Sequence, residues 1–139
     1  MGRVIRTENI STQRNRLMKA LALALRELGK QLAFGTESRD LAAFIVLALD
    51  EVAETVERSV QPWEKRDYWV KADRFRMEWA WVAPIAKEMR VALIAEDAGG
   101  VAAAAARLAP RLREIEVPER HRLGTPWVGA LEKFQELQK

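Results

Sequence analysis

The longest regular pattern in the chain runs from Tyr68 to Leu93. Tyr68, Ala72, Phe75, Trp79, Val82, Ala86, Met89 and Leu93 follow one another at alternating spacings of four and three residues, which sets all of them on one side of an α-helix. A stripe holding three aromatic side chains, sustained over more than three heptads, is a surface that packs on other helices. The pattern predicts a third helix that opens at Pro62 and extends to about Asp97, roughly 50 Å at 1.5 Å per residue, with a bend at Pro84. Proline suits the first turn of a helix and disfavours helical geometry in the residue before it, so Gln61-Pro62 reads as a boundary. One continuous helix kinked at Pro62 is the alternative.

Two helices precede it. The first follows Ser11 or Thr12, both good N-caps, and runs to about Phe34, with Gly35 as its terminator. Its apolar face is Leu17, Leu21, Ala24, Leu28 and Leu32, with Met18 and Leu25 beside it and Arg16, Lys19, Arg26 and Lys30 opposite. The second begins at Ser38, whose hydroxyl caps it, and buries Ile45, Leu49, Val52 and Val56. Gly99-Gly100 break the chain, and Val101, Ala105, Leu108, Leu112 and Ile115 then set out a fourth helix that Pro118 ends. Thr125 followed by Pro126 starts a short last helix through Trp127, Leu131, Phe134 and Leu137. No stretch alternates with the period of two that a half-buried strand needs. The reading is all-α: an antiparallel helical bundle of four main helices plus a short C-terminal helix. It forms one domain over residues 1–139, with residues 1–10 as a flexible N-terminal arm.

Composition narrows the class. The 139 residues are 49% hydrophobic and 31% charged, as in a globular chain, and no run reaches the ~18 apolar residues of a membrane span. The absence of cysteine removes disulfides, thiolate zinc sites and cysteine nucleophiles, and fits a cytoplasmic protein. Charge is segregated: residues 1–35 hold seven basic and two acidic side chains, residues 36–60 two basic and six acidic. Neighbouring segments of opposite sign are expected to attract one another as antiparallel helices.

The chemistry-bearing residues are few. A ferritin-like di-iron site takes Glu-x-x-His pairs from two helices, and the H-E-x-x-H zinc motif takes two histidines. The single histidine, His121, excludes both and reads as a solvated connector residue. Carboxylates are better placed. Glu51, Glu54 and Glu57 recur every three residues on the second helix, and Glu64 and Asp67 repeat that spacing at the start of the third. Side chains three apart share a helix face, so Glu51, Glu54, Glu64 and Asp67 would offer Mg²⁺ an oxygen-only site. Residues 51–67 thus partly resemble the E-x-x-E … E-x-x-D arrangement of the all-α nucleoside-triphosphate pyrophosphatases. That resemblance implies a metal-dependent hydrolase of small phosphorylated substrates. The chain departs from the pattern: only nine residues separate the two halves, a proline falls between them, and the second-helix glutamates lie off the apolar stripe. A solvated acidic face with no cofactor is the simpler reading.

A basic, aromatic face is the other candidate. Lys65, Trp69 and Arg76, with Lys71 and Arg74, combine phosphate-binding and stacking groups suited to nucleic acid. Glu64, Asp67, Asp73 and Glu78 are interspersed and cancel the field, and Asp67 is spaced to pair with Lys71. Nucleic acid is therefore not the expected partner. Phosphate-loop, dinucleotide and serine-elbow signatures are absent.

What remains is surplus apolar surface. Val70, Met77 and Trp81, with Ile85 adjacent, form a second stripe on the third helix, and Phe44 and Leu47 stand on the acidic side of the second. At ~100° per residue Trp81 lies about 200° round from Trp79 and faces a different neighbour. A roughly 50 Å helix also overhangs helices of about 25–35 Å. The sequence therefore reads as a non-enzymatic structural or interaction module, a homodimer joined through Trp69, Val70, Met77 and Trp81.

Overall fold

The computed structural model describes residues 9–139. Residues 1–8 of the expected N-terminal arm lie outside the described residues, whereas Asn9 caps the first helix and Ile10 opens it. The Asn9 side-chain oxygen accepts from the Thr12 amide at 2.8 Å, so Asn9, rather than Ser11 or Thr12, is the N-cap. Six helices make up the described chain: α1 (Ile10–Gly29), α2 (Thr36–Lys65), α3 (Trp69–Glu78), α4 (Val82–Ile94), α5 (Ala98–Leu112) and α6 (Ala130–Leu137). No strand occurs among the described residues, and the chain is all-α.

Side-chain pairs set the directions of the four main helices. Arg14, early in α1, bonds Thr55 and Ser59, late in α2. Asp50 of α2 pairs with Arg90, and Arg39 near its start pairs with Glu96 just past α4, so α2 and α4 are antiparallel. Glu88 with Arg107, and Trp81 with Arg111, do the same for α4 and α5. α5 returns to α1 and closes an up-down-up-down ring. α2 packs against α1, α3, α4 and α6, so its burial goes round the helix: Leu41, Ala42, Ala43, Ile45, Val46, Leu49, Val52 and Val60 are all enclosed. Phe44 and Leu47, read as surplus surface, pack against this core.

The third helix departs most from expectation. α2 continues through Pro62 to Lys65, the alternative reading of that proline. The chain turns after it, where Asp67 takes a left-handed φ of 63°, a conformation that aspartate tolerates better than most residues. A second break at residues 79–81 separates α3 from α4. Pro84 falls in the first turn of α4, where a missing N–H costs little, so it starts a helix rather than bending one. The overhanging roughly 50 Å helix is thus replaced by three pieces. Its stripe still points inwards at Ala72, Val82, Ala86, Met89 and Leu93, while Tyr68 is exposed.

Other boundaries move for local reasons. α1 ends at Gly29, which leaves Leu32 outside the helix and 104% exposed, and Leu23 is buried instead. Gly35 is extended at φ −102° and precedes α2; Ser38 lies inside that helix and donates to the Ala33 carbonyl at 2.6 Å. Gly99 and Gly100 form the first turn of α5, capped by Asp97, whose carboxylate accepts from the Gly100 amide at 2.9 Å. A Cβ on Gly100 would lie 2.8 Å from the Ala92 Cβ, so glycine permits the close approach of α5 to α4. α5 stops at Leu112, short of Pro118. α6 begins at Ala130 rather than Trp127, and its first amides are met from α2: Asp40 accepts from Gly129 at 3.2 Å and Leu131 at 2.9 Å.

Candidate functional site

Arg76 organises the carboxylates that a metal would need. Its Nη1 donates to Glu64 at 2.7 Å and its Nη2 to the other Glu64 oxygen at 3.1 Å, while Nε and Nη2 each donate to Glu57 at 3.0 Å. The bond from Arg76 holds the Glu64 carboxyl below the ordinary carboxylate range, and the two glutamates hold the Arg76 guanidinium above its ordinary value. Glu51 is exposed, Glu54 lies 3.7 Å from Arg58, and Asp67 is exposed in the left-handed turn. The fold does not gather Glu51, Glu54, Glu64 and Asp67 into one metal-holding group. Among the described residues, no group of three or more His, Asp or Glu is placed to hold a metal.

Three α2 acids pair with later helices: Glu57 and Glu64 with Arg76 of α3, and Asp50 with Arg90 of α4. Lys71 sets its ammonium 4.4 Å from the Trp63 ring centroid, where pairing with Asp67 was expected. Asp67 lies before the helix start, so the i, i+4 geometry is lost. His121 accepts from the Leu123 amide at 3.2 Å and stabilises its own connector.

An aromatic seam runs beneath α3. Trp63 meets Phe75 edge-on at 5.3 Å, Phe75 lies 6.4 Å from Trp79, and Trp79 lies 6.0 Å from Trp81 at 31°. The angular separation of Trp79 and Trp81 fails because the helix breaks between them and resets its phase. Trp81 packs against the core and takes the Arg111 guanidinium at 5.6 Å. Arg14, only 6% exposed, inserts against this seam. It donates to the Thr55 hydroxyl at 3.0 Å, the Thr55 carbonyl at 3.2 Å and the Ser59 hydroxyl, and lies 4.9 Å from the Phe75 centroid. Burial pushes its guanidinium below the ordinary value, and Glu78 partly opposes that. The sequence carried a signal for this residue: position 14 shares a helical face with Met18 and Leu21.

The opposite side of α3 is open. Trp69, Val70 and Met77 are 53%, 66% and 76% exposed, with Tyr68 at 52% beside them, whereas Ala72 is buried against the bundle. At ~100° per residue the first three fall within an arc of about 100°. Asp73 lies inside that arc and Arg74 about 40° beyond it, and neither enters an ion pair among the described residues. Three of the four expected interface residues thus share a free face, and Trp81 is drawn into the seam.

Elsewhere the alanines of α5 leave an open groove of about 530 Å³ beside Leu25, Leu28, Phe34 and Val101, without a titratable lining side chain. No helix among the described residues is long and apolar enough to cross a membrane. No known protein family matches the chain, and no curated protein or solved structure is detectably similar to it.

Proposed function

We propose that the protein is a non-enzymatic interaction module of the cytoplasm that self-associates as a homodimer through the outer face of α3. One observation carries this reading: Trp69, Val70 and Met77 are gathered, more than half exposed, on one side of a single helix. Isolated exposed apolar residues need no explanation, but a contiguous cluster that includes tryptophan is characteristic of association surfaces. Tryptophan brings a large contact area at little conformational cost. The carboxylates, the basic side chains and the histidine are engaged within the chain or dispersed, which leaves this face as the strongest candidate for function.

Light scattering and sedimentation at micromolar concentration test the reading. The expected wild-type mass is twice that of the 15.8 kDa chain, and Trp69→Glu is expected to halve it while preserving the helical spectrum. Trp81→Glu is expected to lower stability instead, because that ring packs within the seam. A wild-type mass of one chain would refute the homodimer.

A further inference from the structure

We infer that the furrow between α1 and α5 binds a free long-chain carboxylate, its acyl tail along the alanines of α5 and its head at Arg113. The site is separate from α3 and goes beyond the self-association reading. Two hollows form it, one of about 530 Å³ and one of about 280 Å³, and Leu25 and Ala109 line both. Together they follow α5, whose 15 residues span roughly 22 Å. Sites for small ligands are commonly hollows of about 300–1,000 Å³ with apolar walls and few polar groups.

The order of chemistry along the furrow identifies the occupant. In the larger hollow the only polar side chains on the wall are already satisfied: Gln31 donates to the Glu27 carbonyl at 3.4 Å and Ser38 to the Ala33 carbonyl at 2.6 Å. Leu32 stands at its lip, 104% exposed. Cations enter at the far end, where Arg26 and Arg113 line the smaller hollow. Arg26 is engaged by the Val117 carbonyl and by Glu27. Arg113 forms no ion pair among the described residues, although Glu114 and Glu116 follow it. A tail without polar groups that ends in one negative charge repeats this order. Burial of its methylenes supplies the affinity, and Arg113 sets its direction. A partner's amphipathic helix matches less well, because it brings polar flanks along its whole length. The α5 side of the furrow meets such flanks with Ala102, Ala106 and Ala109.

Isothermal titration calorimetry with octanoate, dodecanoate and dodecanol, each kept below its micellar concentration, tests the site. Two buried methylenes contribute about tenfold in affinity, so dodecanoate is expected to bind at least tenfold more tightly than octanoate. Ala106→Trp, at an exposed position on the furrow wall, is expected to abolish binding by filling the tail site. Ala102→Trp provides the same block at a second exposed position, and far-UV circular dichroism checks that the variants keep their helices. Arg113→Glu is expected to weaken dodecanoate by about fivefold and leave dodecanol nearly unchanged. A wild type that takes up no dodecanoate at millimolar concentration would overturn the site. Binding that survives both tryptophans would overturn it too, and equal losses of dodecanoate and dodecanol in Arg113→Glu would overturn the placing of the head. Vesicles of an anionic phospholipid separate a free acid from a membrane surface. The protein is expected to stay in the supernatant, and pelleting that Ala106→Trp abolishes would give the furrow to lipid instead.

Discussion

Arg14 shows how one side chain ties distant parts of the chain together. It leaves α1, bonds the second half of α2 through Thr55 and Ser59, and supports the rings of Phe75 and Trp79. Its stem and guanidinium fill volume, so removing them opens a cavity and leaves the seam without its cation. Arg14→Ala is expected to cost about 2–4 kcal/mol in urea unfolding, the range of large-to-small core changes. Arg14→Met should cost much less, about 1 kcal/mol, because the Thr55 hydroxyl keeps its own acceptor, the Val52 carbonyl at 2.6 Å. Equal losses in the two variants would show that the hydrogen bonds, rather than the packed volume, carry the contribution.

At the scale of the element, α3 is the helix most dependent on others. Ten residues are too few for a stable isolated helix, and Ala72 is the single fully enclosed residue it contributes. Docking therefore leans on Arg76 and the aromatic contacts. Arg76→Gln is expected to shift the indole NMR signal of Trp63 at neutral pH and leave that of Trp127, beside α6, unchanged. Acid should act on the same clamp. The Glu64 carboxyl is held below its ordinary 4.5 in the folded chain, so its contribution is complete above about that pH. It is lost as the pH falls through the lower folded value. Asp50 runs the other way: burial, set against Arg90, raises it, so acidification favours the folded chain there. The Trp63 signal should accordingly respond to acid before the α2–α4 core does, and a simultaneous response would contradict a separate α3 clamp.

For the whole molecule, the ring of α1, α2, α4 and α5 predicts one cooperative unfolding step with loss of helical signal. Millimolar Mg²⁺ is expected to leave the melting temperature unchanged, since a ligand stabilises only where the native state binds it. Glu64 is held by Arg76, and Glu51 and Glu54 face solvent. A rise in melting temperature abolished by Glu54→Gln would restore the carboxylate hydrolase reading.

The helical class and most of the core were legible in the sequence because helical burial is periodic. Ile45, Leu49, Val52, Val82, Met89 and Leu108 lie buried where their spacing put them. Val70 and Met77 were legible as part of a second face for the same reason, whereas Trp81 and Ile85, read with them, pack into the bundle. The tertiary structure decided the breaks, and with them the fate of each aromatic ring. Pro62 is tolerated within a helix, whereas Asp67 turns the chain through a backbone conformation that leaves no periodic trace. Caps and clamps between separate helices were equally invisible: Asp40 on α6, Arg14 on α2 and Arg76 on two glutamates each join residues far apart in sequence. Local spacing determines which side of a helix is apolar. Which neighbour covers that side, and which side stays bare, depends on where the chain reverses.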